Sequence, residues 1–427
     1  MRSRRVVLST WGSFGDLHPY IALGLGLRSR GHEPVIATCE IYREKVQKEG
    51  LEFAPLPPHL PHPDQAPEVM RRVMDSRDGS RHVVQDLVAP AVRDQFNALM
   101  PLLRNADFMV SHPITYGAPI AATVSGTPWA GALLQPMILA SAYDPPWPVD
   151  HHGVARLVYG LGPGVTRQLM SVVRTHSRNW VAPVDALRAE LGLPRGANPI
   201  FEGQYSPHLN LLLFSSVLTS PQPDWPSHSV VTGFPFYDRR EAGEGTPQAL
   251  TSFLDSGPAP LLFTLGSSAV MMGSEFFRDA VAIAERLNMR AVLLAGRQEW
   301  NRLPADLPPS VCVCEYAPHG EVMPRAAVVI HQGGVGTTGQ ALRSGRPQLV
   351  APFAHDQGDN GARVRRLGCG AVLTPSRFRA STAVAALTRI LGNPEFARSA
   401  AEVGARVRQE AGVERACDEI ERVMSRQ

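Results

Sequence analysis

"VVIHQGGVGTTGQALRSG", residues 328–345, sets an apolar run, a histidine, three closely spaced glycines and two threonines in one order. β-Branched Val328, Val329 and Ile330 predict a buried strand, and Gly333, Gly334 and Gly336 predict a tight loop with little side-chain cover. A helix is expected from Thr337 onward. A glycine loop between strand and helix leaves backbone N–H groups uncovered where the helix dipole also favours negative charge, so the pattern asks for an anion, and first for a phosphate. Glycines serving only a positive-φ turn would look the same. The residues beyond the helix decide between them: another apolar strand, "PQLVAPF" (Pro347 to Phe353), then a polar cluster, "AHDQGDN" (Ala354 to Asn360). In a parallel α/β unit both polar segments lie at the carboxyl ends of neighbouring strands and serve one crevice.

Outward from that stretch the same rhythm recurs. "PLLFTLGSS" (Pro260 to Ser268) reads as strand and loop, "SEFFRDAVAIAERLN" as a helix, and "RAVLLAG" (Arg290 to Gly296) and "SVCVCEYAP" as strands. At the other end of the chain, "RRVVLST" (Arg4 to Thr10) reads as a strand, "GSFGD" (Gly12 to Asp16) as a loop and "YIALGLGLRSRG" (Tyr20 to Gly31) as a helix. "EPVIATC", "YREKVQKEG" and "LEFAPLP" continue as strand, helix, strand. The chain is therefore α/β, with two doubly wound, Rossmann-like halves. A proline- and glycine-rich stretch marks the join. The expected division is residues 1–225, a linker at 226–250, and residues 251–427, with the last helix free to pack back on the first half.

At 427 residues the chain suits two domains, and 44% hydrophobic content is that of an ordinary globular protein. With 42 basic and 39 acidic residues and no long basic tract, nucleic acid is not an expected partner. The five cysteines, Cys312 and Cys314 among them on one strand face, read as reduced core residues. His151 and His152 lack a third ligand in reach by sequence and read as surface residues, so no metal is expected. The start of the chain reaches a glycine turn too soon for a signal peptide, and no run of about 18 apolar residues occurs, so the expected setting is the cytoplasm. The proline-studded stretches 56–104 and 144–179 read as excursions suited to substrate contacts or to structure alone. "LLQPMILASAYDPPW" (Leu133 to Trp147), apolar yet broken by prolines, suits a loop over a cleft; Met137 and Tyr143 are its candidate acceptor contacts.

"GSFGDLHPYIALGLGLRSRGH" near the start and "HQGGVGTTGQALRSGRPQLVAPFAHDQGDNGARVRRLGCG" near the end, with "TLGSS" and "VVTGFPFYD" between, touch most of the chain. Together they resemble the motifs of the nucleotide-diphosphosugar-dependent GT-B glycosyltransferases that include sterol, macrolide and glycopeptide transferases and the rhamnolipid rhamnosyltransferase. The resemblance implies two Rossmann-like domains facing a central cleft, the first for acceptor and the second for donor. The implied reaction is inverting transfer of glucose or a deoxysugar from a UDP- or dTDP-sugar to a hydroxyl of an apolar small molecule or lipid. It also implies a peripheral membrane contact as a further partner, and no separate cofactor.

By that resemblance His331 reaches the diphosphate, Gly333, Gly334 and Gly336 allow close backbone approach, and Thr337 and Thr338 add N–H and hydroxyl contacts. Ser267 and Ser268 hold phosphate or cap a helix. Asp356 and Gln357 bind sugar hydroxyls. Tyr316, Ala317 and Pro318 flank the base, with Arg297 as a further contact or merely a surface ion pair. Asp16 is the implied general base, with helix capping as its plainer use and His18 as rival base or partner. A carboxylate is a weak base for an alcohol, but it suffices when cleavage to the leaving group runs ahead of attack. Two other functions fit the same fold: a sugar-nucleotide epimerase or hydrolase, and a non-catalytic activator subunit with a degenerate donor motif.

Overall fold

In the computed structural model the β-branched and leucine-rich runs pair into two separate parallel sheets. The structure describes residues 3–61, 66–238, 245–304 and 306–426. The first sheet contains β1 (Arg5–Ser9), β2 (Glu33–Thr38), β3 (Glu52–Pro55), β4 (Phe108–Ser111), β5 (Trp129–Leu133), β6 (Leu209–Leu212) and β7 (Ser229–Val231). Their spatial order is β3-β2-β1-β4-β5-β6-β7. The second contains β8 (Leu261–Thr264), β9 (Ala291–Leu294), β10 (Val311–Cys314), β11 (Val328–His331), β12 (Gln348–Val350) and β13 (Gly370–Val372), in the order β10-β9-β8-β11-β12-β13. Strands buried on both faces carry continuous apolar runs, as in "VVLS" of β1 and "VVIH" of β11.

Both sheets reverse direction of growth once. The chain lays down β1, β2 and β3 to one side and then returns to place β4 against β1, with Val6 opposite Phe108. It repeats this with β8, β9 and β10 before β11 pairs with β8, Ile330 lying opposite Phe263. At such a reversal the loops leaving two adjacent strands part to either side and open a crevice at the strands' carboxyl ends. One lies beyond β1 and β4, the other beyond β8 and β11.

The chain forms two compact units: residues 1–146, 153–237 and 411–427, and residues 147–152 and 238–410. This differs from the division read from sequence at β7 and at Trp147 to His152, while the last helix returns to the first unit as that reading allowed. β7 lies inside the expected linker, because Ser229 to Val231 find ladder partners on Asn210 to Leu212; residues 239–244 of that linker lie outside the described residues. The last helix, Gly412–Met424, belongs to the first unit. It packs on the helix Phe14–Ser29 at Gly26, where an added Cβ would lie 2.6 Å from Val413 Cγ1, and Arg30 pairs with Asp418 and Glu421 at 2.6 and 2.7 Å. Finally, Trp147 to His152, embedded in the first half by sequence, belong to the second unit.

The helix after β1 also starts earlier than its apolar pattern suggests, at Phe14, and carries Pro19 inside it. Ser13 and Asp16 supply the start, as a reciprocal capping box. Among the described residues no helix is long and apolar enough to cross a membrane.

Candidate active site

In the first unit the loop after β1 carries Gly12 and Ser13. Ser13 Oγ accepts from Gly15 N at 3.1 Å, while Asp16 Oδ2 accepts from Ser13 N at 2.8 Å and from Ser13 Oγ at 3.2 Å. Gly12 has φ +137°, and a Cβ there would fall 2.3 Å from Asp16 Oδ2. Only glycine lets the carboxylate fold back onto its own loop.

The second carboxylate oxygen, Oδ1, lies 3.4 Å from Nε2 of His112, the residue that follows β4. His112 is buried, and its Nδ1 accepts from Ile114 N at 3.4 Å. That bond assigns the proton of the neutral ring to Nε2, toward Asp16. Asp16 keeps a side-chain exposure of 30%. The carboxylate is thus fixed on one side by Ser13, backed on another by an imidazole, and open to solvent on a third. Burial first, and the Asp16 charge second, push the phenols of Tyr20 and Tyr42 up, so both stay neutral; Tyr42 Oη donates to Gly12 O at 2.9 Å. His18 stacks on Phe14 and meets Tyr237 at a tilt, with ring centroids 5.1 and 4.8 Å away.

The acceptor candidates divide. Leu133, Leu134 and Leu139 are core, Met137 is half-buried in the short turn Pro136–Leu139, and Tyr143 is exposed. The turn is pinned by Asp224, which accepts from Ser141 Oγ at 2.6 Å and from Ala142 N at 2.7 Å.

In the second unit the expected glycine loop follows β11, and the helix begins at Val335, two residues before Thr337. The N–H groups of its first turn have no intrahelical partner and point outward at the positive end of the dipole. His331 departs from the expected direct contact. Its ring has 0% exposure; Nε2–H donates to Gln348 Oε1 at 2.9 Å, and Nδ1 accepts from Gly333 N at 3.1 Å. Burial lowers its pKa to about 4, against a smaller opposing effect of Gln348. This neutral ring braces the loop from beneath.

Gly333, at φ +91°, must be glycine: a Cβ would meet Val350 Cγ1 at 2.7 Å and Gln357 O at 2.8 Å. Thr338 is fully buried and Thr337 nearly so, 3.4 Å from Gln332 Nε2. The loop after β8 closes on the same place, since a Cβ on Gly266 would lie 2.4 Å from Gln332 Nε2. Ser267 is exposed beside it, and the side chain of Ser268 lies outside the described residues.

The polar cluster after β12 is tied to this loop. Asn360 Nδ2 donates to Gly333 O at 2.9 Å and to Asp356 Oδ2 at 2.6 Å. Asp356 stays partly exposed, while Gln357 is buried and its Oε1 accepts from Phe353 N and Ala354 N at 2.7 and 3.1 Å. Gln357 therefore has only its amide N–H groups left for a ligand. At the ends of β9 and β10, Tyr316 is exposed, Ala317 buried and Pro318 half-buried. Arg297 stands 5.6 Å over the Trp300 ring and 3.7 Å from Glu315 Oε1. Among the described residues no three His, Cys, Asp or Glu side chains are grouped to hold a metal.

Residues 284–424 match the family model for the erythromycin biosynthesis protein CIII-like C-terminal domain, and residues 6–87 match the glycosyltransferase family 28 N-terminal domain. The chain is 32% identical over 437 residues to O-mycaminosyltylonolide 6-deoxyallosyltransferase of Streptomyces fradiae, covering 98% of this chain and 97% of that one. It belongs to the GT-B glycosyltransferases. A sterol 3-beta-glucosyltransferase of Pichia angusta is 27% identical to this glycosyltransferase over 98% of its chain, which spans 33% of the yeast enzyme. The solved glycosyltransferase of kitacinnamycin shares the fold at a TM-score of 0.71, with 23% identity over 99% of this chain and 100% of that one. A Streptomyces sp. SF2575 glycosyltransferase complexed with thymidine diphosphate does so at 0.65, with 20% identity over 98% and 99%.

Sequence reasoning missed several residues of this glycosyltransferase's candidate site. His112 shows in sequence only as "SHP" after an apolar run, and it meets Asp16 because β4 pairs with β1. Asn360 lies four residues after Asp356, one helical turn on, a spacing visible in the sequence. Asp359 and Arg363, also four apart, form a buried pair at 2.8 Å, and Asp359 Oδ1 accepts from Trp147 N at 3.1 Å. Gly358 completes that seat, since a Cβ there would lie 2.3 Å from Pro148 O. No local signal marks Trp147 to His152 as part of the second unit.

Proposed function

We propose that the protein transfers a sugar, with inversion, from a dTDP- or UDP-sugar to a hydroxyl of an apolar small molecule, using Asp16 as general base and no metal. The observation that carries this reading is the Asp16 carboxylate itself, held by Ser13, backed by the Nε2 edge of His112 and still open to solvent at the reversal point of the first sheet. In the proposed step the acceptor oxygen attacks the anomeric carbon, its proton passes to Asp16, and the bond to the nucleoside diphosphate breaks. His112 orients the carboxylate; His18 has no part in the proton transfer.

The growing charge on the leaving diphosphate is met by the N–H groups of Gly334 to Thr337 at the helix start, preset by Gly333 and braced by His331. Asp356 and the amide of Gln357 bind sugar hydroxyls, Tyr316 to Pro318 and Arg297 flank the base, and Met137 and Tyr143 contact the acceptor. Ser267 adds a hydroxyl beside the donor loop. The thymidine diphosphate bound by a relative of the same fold favours dTDP over UDP, and the macrolide transferase relative favours a polyketide-like acceptor over a sterol.

The test is a thermal-shift series with dTDP, UDP and their sugars, each with and without EDTA, followed by mass analysis of products with hydroxylated macrolactones. Stabilisation by a nucleotide that survives EDTA is expected, since a ligand at 100 times its Kd adds about 2.7 kcal/mol. Loss of turnover on chelation, restored by magnesium, contradicts the metal-free reading. Free sugar or an epimer in place of a glycoside assigns the protein to the hydrolase or epimerase alternative.

A further inference from the structure

Seven of the thirteen large apolar side chains exposed among the described residues fall within residues 154–173. They lie on two consecutive helices of the first unit. On His152–Tyr159, Val154 and Leu157 are exposed at 63% and 73%, three residues apart and so on one side, and Leu161 follows just beyond the helix at 66%. On Pro163–Ser177, Val165, Leu169, Val172 and Val173 stand at i, i+4, i+7 and i+8, all exposed. The face this second helix turns to the protein is poorer in apolar groups, with Thr166, Met170 and Ser177 buried. An amphipathic helix normally buries its apolar stripe; this one leaves it outside. So large a run of exposed aliphatic side chains marks a contact surface.

The charge of the stretch selects what covers it. Residues 151–184 contain four arginines, three histidines and no aspartate or glutamate. Arg174 and Arg178 pair with Glu202 and Asp185 from outside the stretch, at 2.6 and 2.5 Å. Arg156 is exposed with no acidic partner among the described residues, and Arg167 lies 5.9 Å over the ring of exposed Tyr143. A second copy of this face would bring arginine against arginine with no acid between them, which disfavours self-association. Aliphatic side chains beside unopposed cations fit a surface that is apolar within and negative at its rim.

We propose that residues 153–177 form a docking face for an anionic lipid bilayer, with Leu157, Leu161, Leu169 and Val172 entering the acyl boundary and Arg156 meeting lipid phosphates. Tyr143, the candidate acceptor contact, borders this face through Arg167, so a lipophilic acceptor dissolved in the bilayer is delivered beside its own pocket. The docking face stands on exposure and charge alone; only the delivery of an acceptor rests on the proposed role of Tyr143.

Cosedimentation of the full chain with phosphatidylcholine vesicles, with and without about a third phosphatidylglycerol, tests it. Binding is expected to the anionic vesicles and to weaken steeply with salt. The double variant Leu157→Glu/Leu169→Glu is expected to lose at least tenfold in partitioning, and Arg156→Ala about fivefold, the usual weight of one arginine at such a surface. An unchanged thermal shift with dTDP in both variants shows that the fold and donor site are intact. The proposal is overturned if the wild type ignores anionic vesicles, or if the glutamate variant binds them equally well. It is also overturned if the same substitutions instead dissolve a dimer seen by analytical ultracentrifugation.

Discussion

Asp16 serves two ends at once: it closes the capping box of its helix with Oδ2 and turns Oδ1 toward His112. The capping use and the proposed catalytic use, which are rivals when only the sequence is in view, fall on one carboxylate. His112→Ala removes the imidazole 3.4 Å from Asp16 Oδ1 and is expected to lower kcat/KM by roughly tenfold, about 1.4 kcal/mol. The loss should appear in kcat with donor KM unchanged; His112→Gln, which keeps a donor, should recover part of the rate. A variant that loses rate only through a lowered melting temperature would make His112 structural. His331 supplies a second residue-scale test. Burial holds its folded pKa near about 4, below the ordinary value of about 6.5, so the unfolded chain binds the proton more readily. Its contribution to stability is full above pH 6.5 and falls as pH drops toward 4, by at most about 1.4 kcal/mol per unit for one proton. Urea midpoints from pH 7.5 to 4.5 should show that slope in the wild type, and a shallower one in His331→Asn.

Between one element and the next, the proposed donor site depends on contacts that bring separate loops to the same place. Gly333→Ala forces φ +91° on a residue with a side chain and drives its Cβ against Val350 and Gln357 O. A strained position of that kind costs about 1–3 kcal/mol, and nucleotide affinity should fall further than stability because the helix start shifts; calorimetric titration with dTDP beside the melting temperature separates the two. Asp359→Asn removes the carboxylate that accepts from Arg363 Nε at 2.8 Å and loosens the seat of Trp147, so urea unfolding should show a loss of about 1.5–3 kcal/mol, the worth of a hydrogen bond to a charged group. The strands and the glycine loop are legible in the sequence because β-branched runs and glycine clusters act locally, as "VVIHQGG" shows. Asp16 and Asp356 are marked by their motifs. The partners that orient them are not: His112 comes from 96 positions along the chain, and the bond between Asn360 and Gly333 O exists only once β11 and β12 pair. The helix starts at Phe14 and Val335 lie ahead of their apolar patterns because Ser13 and Gly334 set them, where those patterns have not yet begun.

At the scale of the whole chain, two sheets built on one plan each place a candidate site at the point where strand order reverses: Asp16 beside His112 in the first unit, the glycine-rich helix start at Val335 in the second. Family membership makes the protein a glycosyltransferase, and in the proposed reading the two reversal points divide the labour, acceptor activation on one unit and donor binding on the other. One unit boundary escapes the sequence, since Trp147 to His152 join a unit whose remaining residues begin at 238. The measurement that reaches the central claim most directly is sugar transfer by Asp16→Asn, followed by mass spectrometry with dTDP-sugars and a hydroxylated macrolactone in EDTA, alongside His18→Ala and a dTDP titration of each variant. The expected result is that Asp16→Asn binds dTDP like the wild type and forms no glycoside, while His18→Ala keeps measurable turnover. Near-normal transfer by Asp16→Asn, with His18→Ala inactive, would contradict it and move the base to His18.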